Sequence, residues 1–508
     1  MKIINFIKKN WPLFLLTLVG LLVCIFTFKV EIDARELHPL LGKWKYLVFF
    51  VIFCLVLIFS YAVYIVYKKK IKIEKLFLIF IIPIGMLYMI VIPLGRVPDE
   101  NSHFYRAYEI SIGNIISPKD KNGYGGDYLP SNINKSFNGK SNYSEQLEKI
   151  NIKLSKEKEF VSFTNTALYS FITYLPQVVG ITIARILNLP IFWIGMFGRL
   201  TNFLVWLMLM YFSIKYIPFK KLSLLIVMFL PMMLQEAASM SADALTNASV
   251  FFFVSYILYL RYGNEKKISR KSVIILSIVA VVISVCKIVY LPFCLFVFLL
   301  PERKFKSKKC KYVYILLLAI LVVIISGIFF LLTLGYNAHV EVPDIAEFDT
   351  VLQLKNIFHN PIGYVVVMFR TVYKCINSFV VGFIGEGLCW YDVQTSSVFV
   401  RIISIILIIM TILDSTKVKT TEKVCCFIVV FSVILLIFTS EYLTWTKVGD
   451  LIISGIQGRY FIPLVIPSLL LFNFTNLKYD LDKIYKYLLM IMIYINISVL
   501  ITLFVAHI

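Results

Sequence analysis

The chain has 508 residues, of which 59 % are hydrophobic, with a mean hydropathy of +0.84 and a formal net charge of +22. That apolar content excludes a soluble domain and describes an all-α, polytopic transmembrane helical bundle. The charge does not describe a nucleic-acid partner, because the basic residues come in short bursts between apolar runs: Lys8-Lys9, Lys68-Lys69-Lys70, Lys220-Lys221, Lys266-Lys267, Arg303-Lys304, Lys308-Lys309, and the group Lys417, Lys419 and Lys423. Such bursts orient helices with their basic ends in the cytoplasm.

Taken in order, apolar runs near 11–28 and 46–67 form an N-terminal helix pair within 1–75, the first reading as a retained anchor without a small-residue cleavage site. A third crossing near 76–95 is about 20 residues long, enough to span, and it delivers Arg96-Val97-Pro98-Asp99-Glu100-Asn101-Ser102-His103 to the outer side. Residues 96–165 then form a large external loop, its 114–160 stretch too rich in Asn, Lys, Ser and Gly to cross. The stretch 166–187 carries Tyr174, Pro176, Gln177, Gly180 and Arg185 and reads as interfacial. The next, 191–214, is the fourth crossing, returning the chain to Lys215, Lys220 and Lys221.

Crossings near 222–240 and 245–262 are joined on the outer side by the segment from Gln235 to Asp243. Basic clusters flank both ends of 272–300, so this run is expected to be a hairpin with Lys287 at its tip. Each arm has about 14 residues, roughly 21 Å of helix, which falls short of the roughly 30 Å hydrocarbon core. Lys287 therefore needs a counter-ion or an anionic ligand. Crossings near 312–335, 397–413, 423–440, 461–475 and 484–505 complete about thirteen, with a second external segment at 336–396 and the C-terminus outside. The expected division is a 76–480 core between the 1–75 pair and a C-terminal helix in 481–508. The nine cysteines form no C-x-x-C pair and read mostly as small hydrophobes, with Cys375 and Cys389 alone placed to meet outside the membrane.

Asp99, Glu100, His103, Asp243, Lys287 and Arg459 are thus far apart in sequence yet share one side. Each also has a plainer reading: His103 as a helix-facing hydrogen-bonder, Asp243 as an N-cap, Lys287 as a snorkelling side chain, Arg459 as an interface anchor. Together, carboxylates and two cations around an outer cavity suit deprotonation of a hydroxyl with release of a phosphate.

Four blocks carry a resemblance: Pro98-Asp99-Glu100-Asn101-Ser102-His103-Phe104-Tyr105-Arg106-Ala107-Tyr108, Ser241-Ala242-Asp243, Lys287-Ile288-Val289-Tyr290-Leu291-Pro292, and Gln457-Gly458-Arg459-Tyr460. Over about 80–475 they resemble a bacterial multipass membrane family of unknown function. Its layout is similar to the GT-C superfamily of membrane glycosyltransferases, which place a catalytic carboxylate in the first large external loop and use lipid-phosphate sugar donors. The resemblance implies an enzyme of the bacterial cell membrane with its active site outside. It would move a sugar from a polyprenyl-phosphate donor to a cell-surface glycan or wall-polymer acceptor.

In that reading Asp99 is the first candidate base and Glu100 the second. Lys287 and Arg459 bind the donor phosphate, Arg459 through its bidentate fork. His103, Arg106, Tyr108, Asp243, Tyr290, Gln457 and Tyr460 complete the substrate site. No cofactor is firmly expected; Asp243 is placed to hold the acceptor or a divalent metal (Mg or Mn), although one carboxylate pair plus a distant Asp is a thin ligand set. The alternatives are a flippase or transporter for a lipid-linked glycan and a polysaccharide polymerase. The absence of a P-loop speaks against ATP-driven transport. The concentration of unusual polar residues on one side speaks against a path through both leaflets.

Overall fold

The computed structural model describes residues 2–137, 141–336, 348–414, 416, 418–473 and 484–508, with side chains from residue 10 onward. Residues 138–140 of the external loop, 337–347 of the second external segment, 474–483 at the junction of core and C-terminal helix, and Lys417 lie outside the described residues. The chain is an all-helical membrane protein in which, among the described residues, nine helices are long and apolar enough to cross a bilayer. They are Asn10–Ala34, Trp44–Lys68, Ile73–Val91, Ile191–Tyr216, Asp243–Tyr262, Lys308–Thr333, Pro361–Ile384, Thr420–Thr444 and Tyr485–Ala506.

Four further apolar helical stretches are shorter: Phe171–Ile186, Ile288–Leu299, Ser397–Leu413 and Gly458–Leu471. The 222–240 run is broken into Lys221–Val227 and Pro231–Ala237. Pro231 opens the second piece, where its missing N–H costs nothing. The break frees the Phe229 carbonyl, and Asn496 of the C-terminal helix donates to it at 2.9 Å while accepting from Tyr88 Oη at 2.9 Å. Inside a membrane a freed backbone group must find such a partner. The C-terminal helix is accordingly central, not an appendage. It packs between the N-terminal pair and the core, with Gly20 so close that a Cβ there would lie 2.4 Å from Tyr494.

Two ends of the bundle can be followed through their hydrogen bonds. At the basic end, Lys220 Nζ donates to Thr411 O (3.2 Å), Ser223 Oγ to Asp414 (2.6 Å) and Thr416 N to Asn473 (3.2 Å). Arg261 pairs with Glu422, and Lys304 Nζ donates to Leu260 O and Gly263 O. The hairpin is present: Ile268 N donates to Lys304 O at 2.9 Å, so the feet of its arms meet at the basic end. The helix Arg270–Cys286 and the 3-10 helix Ile288–Leu299 rise from there to an extended Lys287 at the tip.

At the other end the loop expected to be external is ordered around a helix, Glu100–Ser111, and an antiparallel pair of strands, Gly126–Pro130 and Lys158–Ser162. Arg96 ties this loop to His507 (3.0 Å) and Asp392 (2.5 Å). The expected external segment 336–396 holds a helix of spanning length, Pro361–Ile384. Its course is transverse. Tyr364 Oη meets Thr439 Oγ1 at 2.8 Å, and Phe379, about four turns later, packs on Phe438. Both therefore touch one level of the Thr420–Thr444 helix.

Candidate functional site

A cavity of about 760 Å³ opens at the end that carries Asp99, lined by Asp99, His103, Asp243, Lys287, Glu441, Gln457, Arg459 and Tyr460 among others. These eight positions come from five separate segments, the four sequence blocks and the Thr420–Thr444 helix that carries Glu441, so the four blocks do converge.

Asp99 precedes the Glu100–Ser111 helix in a left-handed backbone conformation (φ 61°), which Asp tolerates better than most residues. An ordinary N-cap Asp gives its carboxylate to the helix. Here the side chain makes no cap bond and instead accepts from Asn165 Nδ2 at 3.3 Å. The strain thus leaves a carboxylate free to line the cavity. One turn on, His103 Nδ1 meets Tyr174 Oη at 2.8 Å. Burial pushes the imidazole down to about 4 despite the nearby Asp99 and Asp243 carboxylates, so it is neutral at physiological pH.

The cations are held by the chain's own carboxylates. Lys287 Nζ lies 2.5 Å from Asp243 Oδ1 and 4.9 Å from the Tyr460 ring centroid. Arg459 Nη1 donates to Glu236 Oε1 at 3.0 Å, with its Nε 3.7 Å from Asp243 Oδ2. That Nε is buried and makes no hydrogen bond among the described residues. Asp243 therefore bridges the two cations, and the counter-ion expected for Lys287 is found. A lysine has three donors and an arginine five, so both retain N–H groups for a ligand.

Several expected site residues lie elsewhere. Glu100 does not line the cavity. Its carboxylate is fully buried and accepts from Arg199 Nε (2.7 Å) and Nη2 (2.6 Å), Gly95 N (2.8 Å) and Met240 N (3.1 Å). Arg199 also donates to the carbonyls of Met89, Ile92 and Pro93, which end the third long helix. Glu100 is thus a clasp joining the Glu100–Ser111 helix to the helical core, with no lone pair spare for acid–base work.

Arg106 turns away to Glu109 and to Ile115 O, and Tyr108 stacks with Arg185 (5.0 Å) beside a separate pocket of about 340 Å³. Tyr290 stands behind the site, its hydroxyl donating to Tyr460 O at 3.0 Å. Among the described residues no group of three or more His, Cys, Asp or Glu side chains is placed to hold a metal. All nine cysteines are free, Cys375 and Cys389 included.

Sequence reasoning missed Glu236, Glu441, Tyr169, Trp390 and Tyr391. A signal existed for Glu236 and Glu441: each is a carboxylate inside or beside an apolar run, where an ionisable group needs a purpose. None existed for the aromatics, which abound in this chain.

A multipass helical bundle with a polar, charge-lined cavity at one end defines a membrane protein. The family match agrees with that class and goes no further. The chain belongs to the DUF2142 family, described as a predicted membrane protein family, whose family model covers residues 80–467. No curated protein and no solved structure matches the chain.

Proposed function

We propose that this protein is a membrane glycosyltransferase that moves a sugar from a polyprenyl-phosphate donor to a surface glycan or wall-polymer acceptor, with the cavity facing outside a bacterial cell. The observation that carries the reading is the cavity's inventory: a carboxylate withheld from helix capping, Asp99, beside two cations that keep spare donors, Lys287 and Arg459. The orientation rests on the basic residues gathered at the opposite end, which the positive-inside tendency places in the cytoplasm.

With Pro361–Ile384 lying across the outer end, the other long helices, the broken Lys221–Ala237 stretch, the hairpin arms, Ser397–Leu413 and Gly458–Leu471 make thirteen passes. That topology resembles the GT-C layout.

In this mechanism the donor phosphate takes the free N–H groups of Lys287 and Arg459. Asp99 accepts the proton of an acceptor hydroxyl as its oxygen bonds to the anomeric carbon. The bond from that carbon to the phosphate oxygen breaks, polyprenyl phosphate leaves with its charge stabilised by the cations, and the anomeric centre inverts. Asp243 holds the cations in register and, already paired with both, is the positioning residue of the phosphate site.

The test is binding and transfer of radiolabelled polyprenyl-phosphate sugars by the purified protein in nanodiscs. Lys287→Met and Arg459→Met should each weaken donor binding strongly, Arg459→Lys less so because it keeps charge but loses the fork. The double Met change should cost less than the sum, since the two share one ligand. Donor binding unchanged in both single variants would sink the proposal.

A further inference from the structure

Part of the cavity wall is aromatic, and the backbone that carries two of its rings is strained. Strands Gly387–Leu388 and Val393–Gln394 form a short hairpin whose turn carries Trp390 and Tyr391. Cys389 and Tyr391 on either side of Trp390 both adopt left-handed conformations, with φ of 56° and 62°. For a bulky residue such as Tyr this is a strained outlier. It persists because the turn is clamped. Cys389 N donates to Gln235 Oε1 at 2.7 Å, Trp390 Nε1 to Gly95 O at 3.2 Å, and Tyr391 Oη to Gln457 Oε1 at 3.0 Å.

Both rings line the cavity yet remain 43 % and 41 % exposed. Trp445 lines it too, at 50 % exposed. One turn before Trp445 on the same helix is Glu441, whose carboxylate also lines the cavity and makes no hydrogen bond among the described residues.

We propose that Trp390, Tyr391, Trp445 and Glu441 form a saccharide subsite, the place where a carbohydrate acceptor docks. A pyranose presents an apolar C–H face, which packs on an aromatic ring and is attracted by the negative face of its quadrupole. Its edge presents hydroxyls, which need acceptors aimed at them. Glu441, with up to four lone-pair sites and no internal donor to satisfy, supplies these. An aromatic ring fixed by a hydrogen bond from its own polar atom loses little entropy on binding, which is what the strained turn provides. Phosphate makes no use of the apolar ring faces, and a polyprenyl chain has no hydroxyls to offer Glu441. The subsite therefore commits the acceptor to a carbohydrate rather than to a lipid hydroxyl or a protein side chain. This rests on the transferase reading for the word acceptor, but the binding itself does not.

The probe is an array of bacterial surface oligosaccharides, read with fluorescently labelled protein in nanodiscs and no lipid donor present. The protein should bind at least one neutral oligosaccharide. Trp390→Ala should weaken that binding ten-fold or more, whereas Trp390→Phe, which keeps a ring, should retain most of it. Glu441→Gln is the variant of choice if Trp390→Ala fails to fold, since no internal hydrogen bond is lost; it should weaken binding at least ten-fold. No binding to any saccharide by the parent protein overturns the proposal. Binding that is equal in parent, Trp390→Ala and Glu441→Gln also overturns it, leaving the indoles as interface anchors. Saccharide binding that depends on Trp390 in a protein that transfers from no lipid donor would keep the subsite and reject the transferase. Transfer that is lost in Asp99→Asn but indifferent to Trp390 and Glu441 would do the reverse.

Discussion

Adjacent carboxylates at 99 and 100 have opposite fates, because one turn of backbone sends them to different neighbours. Asp99→Asn should leave the protein folded, since its side chain caps nothing, and should reduce transfer by roughly 10²–10⁴, the usual worth of a positioned acid–base group. Near-normal turnover of this variant would exclude the role. Glu100→Gln should act on stability instead. It leaves the buried Arg199 guanidinium without its counter-charge, and breaking such a pair costs about 3–5 kcal/mol. Thermal unfolding in detergent should therefore shift far more for Glu100→Gln than for Asp99→Asn; equal shifts would contradict the clasp.

His103 adds a pH dependence. Its pKa is depressed to about 4 in the fold, against an unfolded value near 6.5, so the unfolded chain binds more protons between those limits. Stability contributed by the neutral imidazole is complete above about pH 6.5 and is lost as pH falls toward 4. His103→Gln should flatten that part of the melting-temperature profile, and an unchanged slope between pH 6.5 and 4 would count against it.

The hairpin and the transverse helix are the elements on which topology turns. The joined feet of the hairpin, Ile268 to Lys304, place residues 262–270 and 303–311 together at the basic end. Single cysteines there, in a background freed of native cysteines, should resist a membrane-impermeant thiol reagent in intact cells. Cysteines at Lys355 and Tyr391, on either side of Pro361–Ile384, should both react. Labelling of only one of the two would mean that this helix crosses after all. Its length and apolar character fit a span as well as a surface element, and a sequence cannot say which. In the fold Tyr364 and Phe379 both rest at the level of residues 438–439, which sets the helix across Thr420–Thr444.

Across the whole molecule, the C-terminal helix links the N-terminal pair to the core through one small residue and one polar residue. Gly20→Leu would drive a side chain into the Tyr494 ring, where overpacking costs about 1–3 kcal/mol. Asn496→Leu would leave the Phe229 carbonyl and the Tyr88 hydroxyl without their partner. Interhelical hydrogen bonds in membranes are worth about 0.6–2 kcal/mol each. Both variants should lower the melting temperature measured in detergent, and an unchanged value in either would remove that link.

What the sequence determined by itself follows from solvent. Apolar length against bilayer thickness gave the membrane class, and the basic bursts, which the bilayer sorts to one side, grouped Asp99, His103, Asp243, Lys287 and Arg459 at one end. The need of Lys287 for a counter-ion was legible for the same reason, since an isolated charge in hydrocarbon is costly. Tertiary structure decided what is specific to direction and distance. It turned Glu100 into the partner of an arginine 99 residues away, chose Asp243 as the bridge between two cations, and aimed Trp390 through a strained turn. Hydrophobic and charge patterns fix which surface a residue joins, whereas a hydrogen bond requires the approach of two particular atoms to about 3 Å, and only the packed chain sets that.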